Sequence, residues 1–186
     1  YLHNGNEYLE GMVGAYKARV APFNVNYRYV EEELIYLLND AGAKAILFHS
    51  AFAPRLAAIR AQVPTLQLLL QVPDDSGHGL LADAQWYEDA IATADAREPD
   101  VVRSPDDLYI LYTGGTTGMP KGVLWRQHDI FMTSFGGRRP YTGEMATSYE
   151  HITTRSAEAP GTKLMVLPPP LSGAQAAPPD PPDPNP

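Results

Sequence analysis

The chain has 186 residues, 44% of them hydrophobic, and a formal net charge of −8 with no cysteine. That length and apolar content suit one domain with a buried core, while the acidic balance and the lack of a Lys/Arg cluster argue against nucleic acid as a partner. The missing thiols exclude disulfides, thiolate metal sites and a cysteine nucleophile. No apolar run approaches the roughly 20 residues of a transmembrane helix, and no charged leader followed by an apolar stretch opens the chain, so a soluble cytoplasmic protein is expected. The chain opens at Tyr1 rather than Met, which reads as a natural start lying upstream.

Between Glu7 and Val20, the apolar residues Tyr8, Leu9, Met12, Val13, Tyr16 and Val20 recur at three- and four-residue spacing. This is the stripe of a helix packed on one face, and Pro22 should stop it. An extended segment through Phe23 and Val25 leads to Glu31, Glu32 and Glu33, three carboxylates suited to the positive end of a second helix. Leu34, Ile35, Leu37 and Leu38 supply its buried face, and Gly42 marks its left-handed end. Residues 44–48 form a short apolar run of strand length. Ser50 is placed to cap a third helix carrying Leu56, Ile59 and Val63, which Pro64 closes, and residues 66–72 form another buried strand. Residues 74–79 read as a loop, a further helix runs from about Trp86 to Ala94, and Leu108 to Tyr112 is strand-like after an acidic, Pro-containing connector.

Helices alternating with strands that are apolar throughout predict an α/β fold, a mostly parallel sheet flanked by helices. In such sheets ligands sit beyond the carboxyl ends of strands, which is where the segment after Tyr112 falls. Beyond Pro168 the composition changes, and residues 178–186 hold six prolines with Asp180, Asp183 and Asn185. This reads as a disordered or polyproline-like tail. As a ligand for a proline-binding partner it is a poor fit, because no basic residue flanks it.

The segment Tyr112-Thr-Gly-Gly-Thr-Thr-Gly-Met-Pro-Lys-Gly122 carries the chemistry. Gly114, Gly115 and Gly118 allow positive φ and leave room for successive backbone N–H groups to face one anion. Thr113, Thr116 and Thr117 add hydroxyl donors, and Lys121 adds a compact cation suited to a β- or γ-phosphate. Pro120 confines Met119 to extended conformations and so restricts how Lys121 leaves the loop. The pattern is not a Walker loop, which needs Gly-Lys-Ser/Thr, nor a dinucleotide fingerprint. A plain Gly/Thr turn with a chance lysine is the competing structural explanation.

All eleven positions of that segment match the signature of the adenylate-forming (AMP-binding) superfamily, which the chain resembles from Tyr1 to about Gln175. Asn26-Tyr-Arg, Glu32-Glu-Leu-Ile-Tyr-Leu-Leu-Asn-Asp40 and Leu124-Trp-Arg-Gln-His-Asp-Ile130 look in particular like bacterial fatty-acyl and steroid-side-chain CoA ligases. The resemblance implies an incomplete N-terminal AMP-binding domain over residues 1–175, followed by the Pro-rich tail 176–186. It implies an acyl-CoA synthetase reaction: a small-molecule carboxylic acid and ATP give an acyl-adenylate, whose acyl group passes to coenzyme A, with Mg²⁺ accompanying ATP. Thr113, Gly114, Gly115, Thr116, Thr117, Gly118 and Lys121 would bind the ATP phosphates, with Lys121, Thr116 and Thr117 acting on the departing pyrophosphate. Gly114 stands where many relatives carry Ser, so one hydroxyl is lost and backbone contact should persist.

The resemblance weakens near Lys163-Leu-Met-Val-Leu-Pro-Pro-Pro-Leu-Ser-Gly-Ala174, where Ser172 replaces an expected His or aromatic residue. The proline-rich run then stands where a helix is expected, which reads as a shifted frame or a truncated gene. The family's adenine, ribose and later catalytic segments are not found, so this chain alone is expected to be catalytically incomplete and poorly stable. A non-enzymatic nucleotide- or partner-binding protein that kept the loop is the alternative. His128 and His151 lack a paired Ser or carboxylate motif and read as ordinary histidines. Trp125-Arg126 reads equally well as lining the substrate route or as the amphipathic start of a helix through Ile130, Phe131 and Phe135, and Arg138-Arg139 as a solvated loop rather than an anion contact. No intrinsic metal site is expected beyond Mg²⁺ carried by ATP.

Overall fold

The computed structural model describes residues 1–113, 119–139 and 142–158. Two helices open it, α1 (Asn6–Lys17) and α2 (Glu31–Asp40). α1 ends three residues earlier than its stripe suggests, because Arg19 takes a left-handed φ of 61° and turns the chain before Pro22. Val13 and Val20 are consequently exposed, and the helix packs through half-buried Tyr8, Leu9, Met12 and Tyr16. α2 begins as its acidic first turn requires: the Glu33 carboxylate accepts a hydrogen bond from the Val30 N–H at 3.0 Å, satisfying an amide that the helix leaves free. Leu34, Leu37 and Leu38 are fully buried, whereas Ile35 is half-buried. Gly42 has φ +59°, the left-handed helix stop anticipated from its position.

The parallel sheet follows. β1 (Ala45–His49) pairs with β2 (Leu68–Val72) over five residues, from Ala45 opposite Leu68 to His49 opposite Val72. β3 (Gln85–Trp86) adds a short parallel strand on the far side of β2. A 3-10 turn (Ser50–Phe52) and α3 (Ala53–Ile59) connect β1 to β2, and α4 (Tyr87–Thr93) follows β3 directly. Trp86 therefore ends a strand instead of starting a helix. Ser50 does not cap α3. Its hydroxyl donates to the Val72 carbonyl at 3.1 Å and accepts from Gln71 Nε2 at 2.9 Å. The 3-10 turn moves the start of α3 beyond its reach, and Pro54 in the first turn removes one amide that would need a cap.

Leu34, Leu37, Leu38, Ile46, Phe48, Leu56, Ile59, Val63, Leu66 and Leu69 form one apolar core between the sheet and its helices. Tyr112 joins that core from a second sheet. This is an antiparallel pair, β4 (Leu108–Thr113) and β5 (Lys121–Arg126), running from Leu108 opposite Arg126 to Thr113 opposite Lys121. The two sheets are tied by residues 20–25: Ile110 donates its amide to the Pro22 carbonyl at 3.0 Å, and Phe23 bridges Ile110 in parallel sense. Trp125 and Arg126 belong to β5, so the helix expected from Trp125, α5 (Gln127–Ser134), starts two residues later. Pairing with β4 up to Leu108 keeps Arg126 extended at φ −69°, ψ 138°. α6 (Tyr149–Glu158) closes the described part.

The α/β class holds, with parallel strands in the three-stranded sheet and an antiparallel hairpin at the loop. The Pro-rich tail 176–186 lies outside the described residues. Among those described, no helix is long and apolar enough to cross a membrane.

Candidate phosphate-binding site

β4 delivers the site. Tyr109 is fully buried and Tyr112 is 8% exposed; three residues apart, they point to opposite faces of β4 and fasten it on both sides, while Thr113, the next residue, stands half-exposed at its end. The Tyr112 ring meets the edge of Phe23 at 5.6 Å between centroids, and its hydroxyl donates to Asp40 Oδ2 at 2.7 Å. Burial first, then the adjoining Asp40 carboxylate, pushes the Tyr112 phenol far above its ordinary pKa, so it remains a hydrogen-bond donor.

Across the hairpin, Gly122 lies opposite Tyr112. A Cβ built there would come within 3.1 Å of the Tyr112 ring, which explains glycine at this position better than backbone freedom does. Pro120 is buried and Met119 is 43% exposed. Lys121, at the start of β5, is exposed, and among the described residues no carboxylate pairs with it. The last pair of the ladder is Thr113 opposite Lys121, and Thr113 Oγ1 donates weakly to the Lys121 carbonyl at 3.4 Å.

Of the seven candidate residues, the structure brings Thr113 and Lys121 together; Gly114, Gly115, Thr116, Thr117 and Gly118 lie outside the described residues. A hydroxyl and an ammonium without a carboxylate partner among the described residues, at one end of a hairpin, form a donor set for anionic oxygen. The remaining candidates stand elsewhere. His128 is exposed, and His151 contacts Thr147 and, at 3.3 Å, Glu144. Arg139 is engaged by Glu158 at 3.1 Å and Glu144 at 3.7 Å, while Arg138 donates to the Gly143 carbonyl, as expected of a solvated loop. Arg126 pairs with Asp129 and Asp106 at the surface. Sequence reasoning missed Asp40. The available signal was a carboxylate on the last residue of a helix, where the dipole disfavours it.

A family model described as AMP-binding enzyme matches residues 1–175. The chain belongs to the AMP-binding enzyme family. A medium-chain acyl-CoA ligase of Mycobacterium avium is 60% identical over 174 residues, covering 94% of this chain and 32% of that protein. A 3-oxocholest-4-en-26-oate–CoA ligase of Rhodococcus rhodochrous is 35% identical over 174 residues, 93% of this chain and 31% of that protein. Among solved structures, a Mycobacterium tuberculosis fatty acyl CoA synthetase is 26% identical with a TM-score of 0.57, covering 74% of this chain and 26% of that one. The chain thus spans about a third of the length of the curated relatives it matches. The family match over residues 1–175 includes the segment 112–122 and both strands that flank it.

Proposed function

We propose that the chain is part of an ATP-dependent, AMP-forming carboxylic acid–CoA ligase and supplies its phosphate-binding loop. One observation carries the reading: the β4–β5 hairpin ends on Thr113 and Lys121, which bracket the Gly/Thr segment of an AMP-binding enzyme. In the reaction, the substrate carboxylate attacks the α-phosphorus of ATP and the bond to pyrophosphate breaks, giving an acyl-adenylate. The coenzyme A thiol then takes the acyl group and AMP leaves. No protein nucleophile is needed, so the chain's task is placement and charge stabilisation.

Lys121 would neutralise charge gathering on the departing pyrophosphate, and the Thr113 hydroxyl would donate to a phosphate oxygen. Gly114, Gly115, Thr116, Thr117 and Gly118 would contribute amides and two further hydroxyls. A magnesium ion suits this donor set only as a passenger on the nucleotide, since Thr113 offers a neutral oxygen and no carboxylate pairs with Lys121 among the described residues; bound there, it would add positive charge to the phosphates. The 60% identical relative bears a medium-chain acyl group in its name, which supports an apolar monocarboxylic acid as substrate. We further read residues 1–175 as the AMP-binding part and 176–186 as a separate tail, with the enzyme working in the cytoplasm. Because the chain spans about a third of its relatives, the 186-residue polypeptide by itself is expected to bind ATP weakly and form no acyl-CoA.

A chimera tests the assignment. Residues 1–175 replace the matching stretch of the Mycobacterium avium ligase, and pyrophosphate release is followed with a panel of carboxylic acids. The folded chimera should release pyrophosphate only when a medium-chain acid is present, and Lys121→Ala should slow it by about 100-fold, as loss of one transition-state charge contact does. A folded chimera with no acid-dependent release would defeat the reading.

A further inference from the structure

Asp40 ends α2, where the free carbonyls of the last turn make a carboxylate unwelcome and basic residues are the usual choice. Among the described residues no Lys or Arg compensates it. Its hydrogen-bond partner is the hydroxyl of Tyr112, at 2.7 Å across 72 residues of sequence. Tyr112 is the residue immediately before the phosphate loop, and its ring is held on three sides: Phe23 at its edge, Gly122 across the hairpin, where a Cβ would come within 3.1 Å of it, and Asp40 at the hydroxyl. Fixing that ring fixes the backbone of the pair Tyr112–Gly122, and the next pair along is Thr113–Lys121, from which the loop departs.

We propose that Asp40 and Tyr112 form a clasp that positions Thr113 and Lys121, Asp40 acting as a positioning residue through the Tyr112 hydroxyl; this rests on the reading of Thr113 and Lys121 as nucleotide-phosphate contacts. The clasp links the end of α2, itself anchored in the core by Leu34, Leu37 and Leu38, to the one strand that feeds the loop. Loss of the hydrogen bond frees Tyr112 to shift relative to α2, and the Thr113 hydroxyl and Lys121 ammonium shift with it. An anion that needs both donors at once then binds less well.

The test is calorimetric titration of the 186-residue chain with inorganic pyrophosphate, alongside thermal unfolding of each variant. Tyr112→Phe and Asp40→Ala should each weaken binding about fivefold, the loss expected of one hydrogen bond. The double variant should be no weaker than either single one, because both remove the same contact. Asp40→Asn keeps an acceptor oxygen and should stay within about twofold of the parent chain. If the parent binds pyrophosphate and Tyr112→Phe binds equally well, the clasp has no positioning role. Multiplying losses in the double variant, a loss in Asp40→Asn as large as in Asp40→Ala, or a lowered melting temperature with unchanged affinity would also overturn it. A parent chain that binds no pyrophosphate would instead overturn the reading of the loop itself, and the clasp with it.

Discussion

Gly122 is the residue where the sequence motif and the packing meet most closely. Its glycine is favoured by tight packing against the Tyr112 ring opposite and Ile110, not by an unusual φ, so Gly122→Val should destabilise the fold by about 2 kcal/mol through overpacking, measured by urea denaturation. An unchanged midpoint would mean that the ring moves aside freely. His49 supplies a pH-dependent counterpart. Its Nδ1 accepts the His3 amide at 3.1 Å, and burial, followed by the nearby His3 side chain and the chain's amino terminus, lowers its pKa, with Asp74 and Glu7 opposing. A base whose folded pKa is depressed is held neutral, so its contribution to stability is present above the unfolded value of about 6.5 and is lost as pH falls below it. The Tyr1 amino group, which burial lowers to about 5, starts a decline of the denaturation midpoint nearer pH 8; the His49 part should add to it below about pH 6.5, and His49→Asn should remove that added part. A second decline at lower pH belongs to Asp74 and Asp107, whose carboxyl groups hydrogen bonds hold below the ordinary value.

Among the elements, the periodic ones were readable in advance and the short or interrupted ones were not. α2 could be read from Glu31 to Gly42 because a charged first turn, a buried stripe and a left-handed glycine agree. β1 and β2 could be read because an apolar run of strand length has few other homes. β3 has two residues and no pattern of its own, and β5 is exposed along most of its length, so neither carries a periodic apolar signal; pairing with a neighbour defines both. Gln71 shows the same limit in a side chain. It is fully buried in β2, where it donates to the Ser50 hydroxyl and the Gly79 carbonyl and accepts from the Leu81 amide. Nothing local distinguishes it from a surface glutamine. Gln71→Leu should cost about 1–3 kcal/mol by orphaning these groups and should speed amide hydrogen exchange at Leu81, whereas unaltered exchange would show that the loop holds itself.

For the whole molecule, the α/β class and the family were legible because one depends on the order of periodic segments and the other on a contiguous string. The joint between the two sheets was not, since it brings Phe23, Asp40 and Tyr112 together from three distant stretches. The same architecture exposes a flank. β5 pairs with β4 and with no other strand among the described residues, and Val123 and Leu124 are 42% and 63% exposed on it. An unpaired strand edge with apolar side chains favours association, so the 186-residue chain should self-associate with rising concentration in sedimentation velocity. Leu124→Lys should shift it toward the monomer, and a parent chain that stays monomeric throughout would refute this. The account as a whole turns on whether the segment between β4 and β5 receives nucleotide phosphate, which phosphorus NMR reports directly. On titrating MgATP with the chain, the β- and γ-phosphate resonances should broaden and shift, and Lys121→Ala should abolish the change; phosphate signals that stay unmoved by the parent chain, or move equally with Lys121→Ala, would contradict it.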